Sequence, residues 1–487
     1  MSEVERPAGM FDREWEWDRL MAFASDPAPG ATLGVVTGRR RQGKSYLLQE
    51  LCAATGGFYF AATEATAAES LRLLGEAVAR HRGLPAPLSL GGWEQAIDAL
   101  LGLPGDRPAP VVVDELPYLW HAAPQLPSVV QAALGPRRAE RLRSQARLVL
   151  CGSALSVMGG LLSGSSPLRG RAGLELVVQP FDYRSAARFW GASDPWLALR
   201  LHAVVGGTPA YRRELVRGDA PSGPSDFDDW VVRAVLDPAS PLFREARYLL
   251  AEEPNLRDVS LYHSILGAVA EGHTTRRAIA TAAGRKDDTL RHPITVLQDA
   301  GLLAREEDAF RRGRSTYRII EPLVAFYYAV MRPQWARLEH PGRGRQVWEE
   351  AQQRYRSNVL GPHFELLCRT WAAQFAAPAT FGGVAASVRA GVVHDSATRH
   401  GHQVDVVVRD SAGTVLAVGE SKAGRAMDVD DLRRLQRVRE LLQSDRRAGE
   451  PPIKLVCFAP RFSPELRRVR TATDVVLVDL DRLYSGD

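Results

Sequence analysis

The sequence has little lysine, no paired cysteines and no long apolar run. Lysine occurs only at Lys44, Lys286, Lys422 and Lys454, so the other 58 of the 62 basic residues are arginine. The four cysteines are scattered without a C-x-x-C pair, which argues against a disulfide framework and against a zinc knuckle. No apolar stretch approaches the roughly 18–20 residues that a membrane span needs. These absences exclude a disulfide-rich secreted scaffold and an integral membrane protein from the expected classes.

Length and composition indicate an ordinary globular chain. The sequence has 487 residues, which predicts about three domains at roughly 150 residues each. Hydrophobic residues make up 45% of the chain and charged residues 24%. The first residues lack the pattern of a signal peptide, so we expect a cytoplasmic protein. A net charge of +5 permits nucleic acid as a partner but does not require it.

One motif stands out, an unbroken G-x-x-x-x-G-K-[S/T]. It follows an apolar segment (31–37) typical of a buried strand and precedes a segment (46–51) that opens a helix. In such a loop the backbone N–H groups bind the β-phosphate of a nucleotide, the lysine reaches the β- and γ-phosphates, and the hydroxyl can ligate Mg²⁺. A glycine-rich turn without a ligand is the alternative, and the order of strand, loop and helix disfavours it. The predicted nucleotide-binding residues are Gly38, Arg39, Arg40, Arg41, Gln42, Gly43, Lys44 and Ser45.

Two carboxylates follow another predicted buried strand. Three valines precede Asp114 and Glu115, and the carboxyl ends of strands are where α/β folds place their chemistry. We expect Asp114 to bind the Mg²⁺ water shell and Glu115 to polarise the attacking water as a general base. A solvated acidic turn is the alternative, and the phosphate loop at this separation favours the catalytic interpretation.

A third buried strand (147–151) ends at Ser153, a small polar residue expected to sense the γ-phosphate. Further on, Arg169 or Arg171 could stabilise charge in the transition state, in the same chain or across the interface of a homo-oligomer. Because arginine is so frequent here, a surface role for each of them is an equally weighted alternative.

Together these motifs resemble the archaeal-type ATPase family, a branch of the P-loop ATPases close to AAA+ and STAND proteins. The resemblance rests on Phe11-Asp-Arg-Glu, the phosphate loop, Val-Val-Asp114-Glu115, Cys-Gly-Ser153, Ser-Pro-Leu-x-Gly-Arg171, Gln-Pro-Phe181 and Gly-Gly-Thr-Pro-x-Tyr211. It covers about the first two hundred residues. It implies an ATPase core with a helical lid, and it aligns Arg171 rather than Arg169 with the family's arginine. The family usually has tyrosine where this chain has Arg169. Since no N-K-x-D motif is present, ATP is favoured over a guanine nucleotide.

The middle of the chain predicts three helices and a hairpin (251–321), a pattern that resembles the winged helix-turn-helix following the ATPase core in this family. A third helix in the major groove and wing arginines on phosphates would make DNA the partner. The alternative is a winged domain used only for packing within the chain. Pro293 interrupts the third helix and disfavours base-specific recognition. The predicted wing tip carries Arg311, Arg312 and Arg314.

The last part of the chain resembles the PD-(D/E)xK nuclease core. A predicted strand carries Asp405, and the returning strand carries Glu420 and Lys422, which the two-residue period places on one face. Asp405 is expected to reach that face across the hairpin. Two carboxylates can bind Mg²⁺ or Mn²⁺, and the lysine can orient water beside the ion. The resemblance implies that Glu365, from the preceding helix, completes the metal site. A surface hairpin with an ion pair between Glu420 and Lys422 is the alternative.

The predicted fold class is therefore α/β, with four parts: a P-loop ATPase core (1–190), a helical lid (191–250), a winged helix-turn-helix (251–335) and a restriction-endonuclease-like domain (336–487). Two functions are compatible with these parts. One is an ATP-dependent, DNA-processing enzyme with a metal-dependent nuclease, whose catalytic residues would be Glu115, Arg171, Asp405, Glu420 and Lys422. The other is a nucleotide-operated switch or DNA-binding scaffold whose nuclease-like fold does not cut.

Overall fold

The computed structural model describes residues 5–162, 164, 166–251, 258–395, 399–443, 452–469 and 474–487. These residues separate into two compact units. The first holds the described residues up to Pro180, with Ala251 and residues 299–301, and the second holds the rest.

The first unit alternates strands and helices. Its strands are β1 (Thr32–Thr37), β2 (Phe58–Ala61), β3 (Ala109–Asp114), β4 (Ala146–Gly152) and β5 (Ala172–Val177). Its helices are α1 (Glu14–Ala24), α2 (Lys44–Thr55), α3 (Ala67–His81), α4 (Trp93–Leu101), α5 (Leu116–Ala122), α6 (Leu126–Ala133), α7 (Ala139–Arg143) and α8 (Leu155–Leu162).

The five strands form one parallel sheet in the order β2-β3-β4-β1-β5. The inner strands are almost continuously buried, as expected for a parallel sheet covered on both faces. Two apolar clusters cover the faces: Leu74, Trp93 and Leu126 belong to one, and Trp17 and Leu48 to the other. This arrangement confirms the predicted α/β class. It also brings the carboxyl ends of β1, β3 and β4 to one edge.

The second unit begins with helices. They are α9 (Tyr183–Trp190), α10 (Pro195–Val205), α11 (Phe227–Trp230), α12 (Pro241–Ala251), α13 (Val259–Ala270), α14 (Arg276–Ala282), α15 (Arg291–Asp299), α16 (Pro322–Phe326), α17 (Trp335–Leu338) and α18 (Gly344–Tyr355). Between α15 and α16 lie β6 (Leu303–Glu307) and β7 (Ser315–Ile319), an antiparallel pair. Short π-helical turns occupy Tyr211–Leu215, Val231–Val235, Tyr327–Met331 and Arg356–Leu360, and 3₁₀ turns occupy Asp287–Leu290 and Arg332–Gln334.

The predicted third helix of the winged segment is split. A 3₁₀ turn (Asp287–Leu290) precedes α15, and Pro293 lies in the first turn of that helix. Proline is tolerated there because the N–H groups of a first turn have no partner within the helix. The interruption that the sequence predicted at Pro293 therefore occurs one turn earlier, and α15 itself is regular.

The second unit ends in a mixed α/β layer. Its helices are α19 (Gly361–Gln374), α20 (Pro378–Phe381), α21 (Val429–Gln443), α22 (Pro464–Val469) and α23 (Leu480–Ser485). Its strands are β8 (Ser387–Asp395), β9 (His400–Arg409), β10 (Val415–Ser421), β11 (Lys454–Phe458) and β12 (Val475–Val478), in the order β12-β11-β10-β9-β8. The β8–β9 and β9–β10 pairs are antiparallel, and the β10–β11 and β11–β12 pairs are parallel.

Within the described ranges, no helix combines the length and the apolar character needed to cross a bilayer. All four cysteines are buried as free thiols.

Candidate functional site

The loop between β1 and α2 needs its two glycines. Gly38 has φ +146°, and a Cβ there would lie 2.5 Å from the carbonyl oxygen of Val178. Gly43 has φ +89°, in the region that side chains disfavour. Arg41, between them, also has a positive φ of +71°. The loop is therefore held in a shape that regular backbone does not adopt, directly before the first turn of α2.

Lys44 folds back over this loop. Its side chain is buried, with only 6% of the residue exposed, and Nζ donates to the carbonyl oxygens of Gly38 at 2.7 Å and Arg39 at 2.9 Å. Burial lowers the pKa of the Lys44 ammonium, although the nearby carboxylates of Asp114 and Glu115 oppose that shift. An ammonium with two carbonyl partners and little water is well placed to meet phosphate oxygens.

Asp114 ends β3 beside the loop and is 1% exposed. Its Oδ2 accepts a hydrogen bond from the Tyr59 hydroxyl at 2.7 Å, and its Oδ1 accepts from the backbone N–H of Glu115 at 2.9 Å. Burial raises the pKa of Asp114, but hydrogen bonds from Cys151, Ser45 and Tyr59 outweigh it and leave the pKa below its ordinary value. The carboxylate therefore stays ionised, next to the hydroxyl of the loop serine.

Glu115 has a left-handed backbone, with φ +54°. Such a conformation is uncommon outside glycine and often marks functional positions. It places the carboxylate beside Ser153, whose Oγ lies 3.2 Å from Oε2 and 3.4 Å from Oε1. Because β4 lies between β1 and β3, Ser153 follows the strand that separates the loop from the two carboxylates. The structure thus brings Lys44, Ser45, Asp114, Glu115 and Ser153 to one edge.

Arg171 lies at the other end of the sheet. It is exposed and precedes β5, whose first residue pairs with Leu33 while its last residue pairs with Thr37. At about 3.3 Å per residue, a strand separates Arg171 from the phosphate loop by about 16 Å along the sheet. The catalytic role of Arg171 stays a prediction, and this separation favours an arginine supplied by a second copy over one in the same chain. Arg169 is exposed too and donates to the carbonyl of Gly164.

Three residues near the loop were not among the predicted site residues. Arg13 is buried and its guanidinium donates to the carbonyls of Gln42 at 3.2 Å and Gln179 at 2.8 Å, which ties two loops together. Tyr59 and Cys151 both donate to Asp114. Arg13 stood in the Phe11-Asp-Arg-Glu stretch that carried the family resemblance, but its contacts arise only from folding.

The second predicted site lies in the mixed sheet of the second unit. Asp405, in β9, is 5% exposed; its Oδ2 accepts from the backbone N–H of Ser421 at 2.9 Å and from the Ser421 hydroxyl at 3.0 Å. Its Oδ1 accepts from the Gln403 amide at 3.3 Å. Both oxygens of Asp405 are therefore bound within the sheet.

Glu420, in β10, makes different contacts. Its Oε1 is paired with Lys422 Nζ at 2.6 Å and with the guanidinium of Arg434 from α21. Successive residues of a strand point to opposite faces, so Glu420 and Ser421 lie on opposite sides of β10. Because Asp405 bonds to the Ser421 hydroxyl, Asp405 and Glu420 do not share a face.

A β-bulge explains why Asp405 and Glu420 lie on different faces of the sheet. Arg389 and Gly391 of β8 pair with Val407 and Val404 of β9, so β9 contains one extra residue in the stretch that includes Asp405. The extra residue shifts the two-residue period on which the sequence prediction relied. Asp405 is turned toward α19 instead, where its charge acts on Glu365.

The predicted metal set Glu365, Asp405 and Glu420 does not fit a metal ion in this arrangement. No group of three or more His, Cys, Asp or Glu side chains suited to a metal was found in the described part of the chain. Burial and the charge of Asp405 raise the pKa of Glu365 to about 7, opposed by Arg369 and Lys422. We therefore derive no metal chemistry at this sheet.

The predicted wing is held against β8. The backbone N–H of Ala309 donates to the carbonyl of Ala390 at 2.9 Å, and a Cβ on Gly391 would lie 2.7 Å from the Phe310 ring. The Arg409 guanidinium donates to the carbonyl of Ala309 at 3.0 Å. Beyond these contacts, Arg311 and Arg312 are exposed at the tip, while Arg314 lies 3.9 Å from the Asp308 carboxylate.

Comparison with known proteins finds no matching family model and no matching curated protein. Similar solved structures include the Walker-type ATPase PABY2304 of Pyrococcus abyssi, at 21% identity and TM-score 0.47, covering 66% of this chain and 97% of that chain. The ORC2 protein of Aeropyrum pernix in ADPNP–ADP complexes follows, at 13% identity and TM-score 0.43, covering 72% and 96%. CDC6P of Pyrobaculum aerophilum is similar at 13% identity and TM-score 0.34, covering 72% and 97%. Because these TM-scores are all below 0.5, the functional argument rests on the residues of this chain alone.

Proposed function

We propose that this protein binds ATP with Mg²⁺ and hydrolyses it at the carboxyl edge of the parallel sheet. The observation that carries the proposal is the convergence there of a buried lysine, a serine hydroxyl, an ionised aspartate and a glutamate held by Ser153. These groups come from three separate segments, the phosphate loop with the start of α2, the end of β3 and the end of β4. A structural glycine turn would not require them to meet.

Binding follows from the loop and from Lys44. Backbone N–H groups of the loop and the positive end of α2 attract phosphate. Lys44 would exchange its carbonyl partners for β- and γ-phosphate oxygens. Its ammonium would then neutralise part of the negative phosphate charge that the backbone amides cannot neutralise alone. Ser45 and Asp114 suit Mg²⁺, which binds through few protein oxygens together with phosphates and water. When bound, the ion would neutralise charge on the phosphates.

Hydrolysis is assigned to Glu115. Its carboxylate would accept the proton of the attacking water as the oxygen–phosphorus bond forms and the bond to the leaving phosphate breaks. The Ser153 hydroxyl holds that carboxylate and lies beside the place expected for the γ-phosphate. Arg171 would contribute only from a second copy of the chain, so full activity would require a homo-oligomer.

The binding step is tested by Lys44→Ala. We expect the wild-type chain to bind ATP in a direct assay, such as calorimetry or fluorescence of a labelled analogue, and Lys44→Ala to lose at least about 100-fold in affinity, since charge-assisted bonds in a dry site are strong. The matched control is Lys454→Ala, a lysine of the second unit. Equal affinity of Lys44→Ala and Lys454→Ala would refute the assignment of the phosphate site.

We propose that the second unit makes the protein a nucleotide-operated switch or DNA-binding scaffold. The four predicted parts (1–190, 191–250, 251–335 and 336–487) remain our proposal for its organisation. Three helices followed by an antiparallel pair support a winged helix-turn-helix between Val259 and Ile319. Exposed Arg291, His292, Arg311 and Arg312 offer contacts to phosphates rather than to bases.

The alternative of a metal-dependent deoxyribonuclease has less support. The helix, strand hairpin and parallel strands (α19 and β8–β12) follow the order expected for a nuclease-like fold. However, Asp405 bonds to Ser421 on one face of the sheet while Glu420 is paired with Lys422 and Arg434 on the other, so the two carboxylates do not form the predicted shared ion site. The contacts therefore favour a nuclease-like fold that does not cut.

A further inference from the structure

Tyr59 occupies a position in the nucleotide site that no motif accounts for. It lies on β2, at the edge of the parallel sheet, next to β3. Its ring packs against the apolar cluster on one face of that sheet, while its hydroxyl donates to Asp114 Oδ2 at 2.7 Å. Packing thus fixes the position of the ring, and the hydroxyl can hydrogen-bond to Asp114.

The direction of this hydroxyl is fixed by its neighbours. The side chain of Gln49 donates to the Tyr59 oxygen. With this donor on a lone pair, the hydroxyl proton points to Asp114. Gln49 lies one turn beyond Ser45 on α2, so Tyr59 links the helix that follows the phosphate loop to the carboxylate at the end of β3.

The two oxygens of Asp114 are held by different donors. Glu115 N–H fixes Oδ1, and Tyr59 fixes Oδ2. The Ser45 hydroxyl also donates to Asp114, and it can keep that bond while an oxygen lone pair ligates Mg²⁺. The backbone N–H of Glu115 and the Tyr59 hydroxyl hold one oxygen each, and together they fix the plane of the carboxylate.

We propose that Tyr59 is a positioning residue of the nucleotide site, which holds Asp114 in the orientation that accepts hydrated Mg²⁺. It thereby sets how strongly Mg²⁺ raises the affinity for nucleotide. This inference rests on the proposed ATP site. Without the hydroxyl, Asp114 Oδ2 loses the Tyr59 donor, and the carboxylate is less firmly held in that orientation.

The test uses the full chain, Tyr59→Phe and mant-ATP, a fluorescent ATP analogue. Phenylalanine keeps the ring in its apolar contacts and removes only the hydroxyl. In EDTA we expect Tyr59→Phe to bind mant-ATP as the wild type does. In a Mg²⁺ titration we expect Tyr59→Phe to need about tenfold more Mg²⁺ for the same affinity, the loss typical of one hydrogen bond to a charged group. The control is Tyr118→Phe, an exposed tyrosine of α5.

A second variant separates positioning from folding. Gln49→Ala changes an exposed residue and should shift the Mg²⁺ requirement in the same direction but by less. A wild-type Mg²⁺ requirement in both Tyr59→Phe and Gln49→Ala overturns the inference. Absence of mant-ATP binding by the wild type, with or without Mg²⁺, would instead overturn the proposed ATP site, so the two failures are distinguishable.

Discussion

The pKa shifts of three ionisable side chains bear directly on the two predicted sites. Lys44 has a lowered pKa because it is buried, and Asp114 a lowered pKa because its donors outweigh burial. Glu365 differs, since burial and the neighbouring charge of Asp405 both raise its pKa, to about 7. The phosphate site thus keeps its carboxylate charged, whereas the mixed sheet favours a protonated one.

Glu365 makes the stability of the second unit depend on pH. Its ordinary pKa is 4.5, so its protonated form is favoured by folding, and that stabilisation is lost as pH rises through about 7. Glu365→Gln mimics the protonated acid. Its unfolding temperature should therefore be higher than that of the wild type at pH 8 and nearly equal to it at pH 5. Since each pKa unit corresponds to about 1.4 kcal/mol and screening discounts the shift, we expect on the order of 2 kcal/mol at pH 8.

Thermal unfolding of both proteins between pH 5 and pH 8 checks this expectation. The charged groups around Glu365 are Asp405, Glu306, Arg369 and Lys422. Glu349→Gln, an exposed glutamate of α18, serves as the matched control. A Glu365→Gln advantage that is the same at pH 5 and pH 8 would show that the effect comes from packing rather than from titration.

The residues of the phosphate site could be predicted where a motif fixes their spacing. Lys44, Ser45, Asp114 and Glu115 follow strands whose burial is evident in the sequence, and parallel strands bring their carboxyl ends together. The contacts of Tyr59, Cys151 and Arg13 could not be predicted, because they join segments far apart in sequence. Nor did the sequence reveal that Arg171 lies at the amino end of the sheet.

At the scale of elements, the two-residue period was the weakest basis for prediction. The strands holding Asp405 and Glu420 occur where the alternation predicted them (403–408 and 414–422), as Val-rich β9 and β10. One extra residue in β9 nevertheless turned Asp405 to the other face. A bulge changes few residue preferences and is visible only once the pairing with β8 is known.

The wing is the element whose charge is most directly testable. If Arg311 and Arg312 contact DNA phosphates, replacing both with alanine should weaken DNA binding and reduce the slope of log affinity against log salt by about one for each lost contact. Arg314→Ala should have a smaller effect because Arg314 lies near Asp308. Fluorescence anisotropy with a labelled duplex at several salt concentrations measures the slope.

The matched control is Arg345→Ala with Arg354→Ala, two exposed arginines of α18. If the Arg311/Arg312 double variant has the salt slope of the wild type, the wing serves only to pack against β8. The contacts of Ala309 and Phe310 with β8 would then be its whole function.

At the scale of the whole molecule, we expect that the protein proposed here to hydrolyse ATP does not cut DNA. We expect no cleavage of single-stranded, duplex or supercoiled DNA with Mg²⁺ or Mn²⁺, with or without ATP, because Glu420 and Asp405 are bound by protein donors on different faces. Gel analysis over several hours checks this. Cleavage that disappears in Asp405→Ala, while ATP hydrolysis persists, would restore the nuclease hypothesis.

The central claim is that Glu115 hydrolyses ATP bound at the Gly38–Ser45 loop, and single-turnover hydrolysis by Glu115→Gln tests it most directly. Glutamine keeps the size of the side chain but cannot accept a proton, so ATP affinity should stay within about threefold of the wild type while hydrolysis falls by about 100-fold or more. The control is Glu94→Gln, an exposed glutamate of α4. A Glu115→Gln chain that binds ATP and hydrolyses it at the rate of Glu94→Gln would contradict the account.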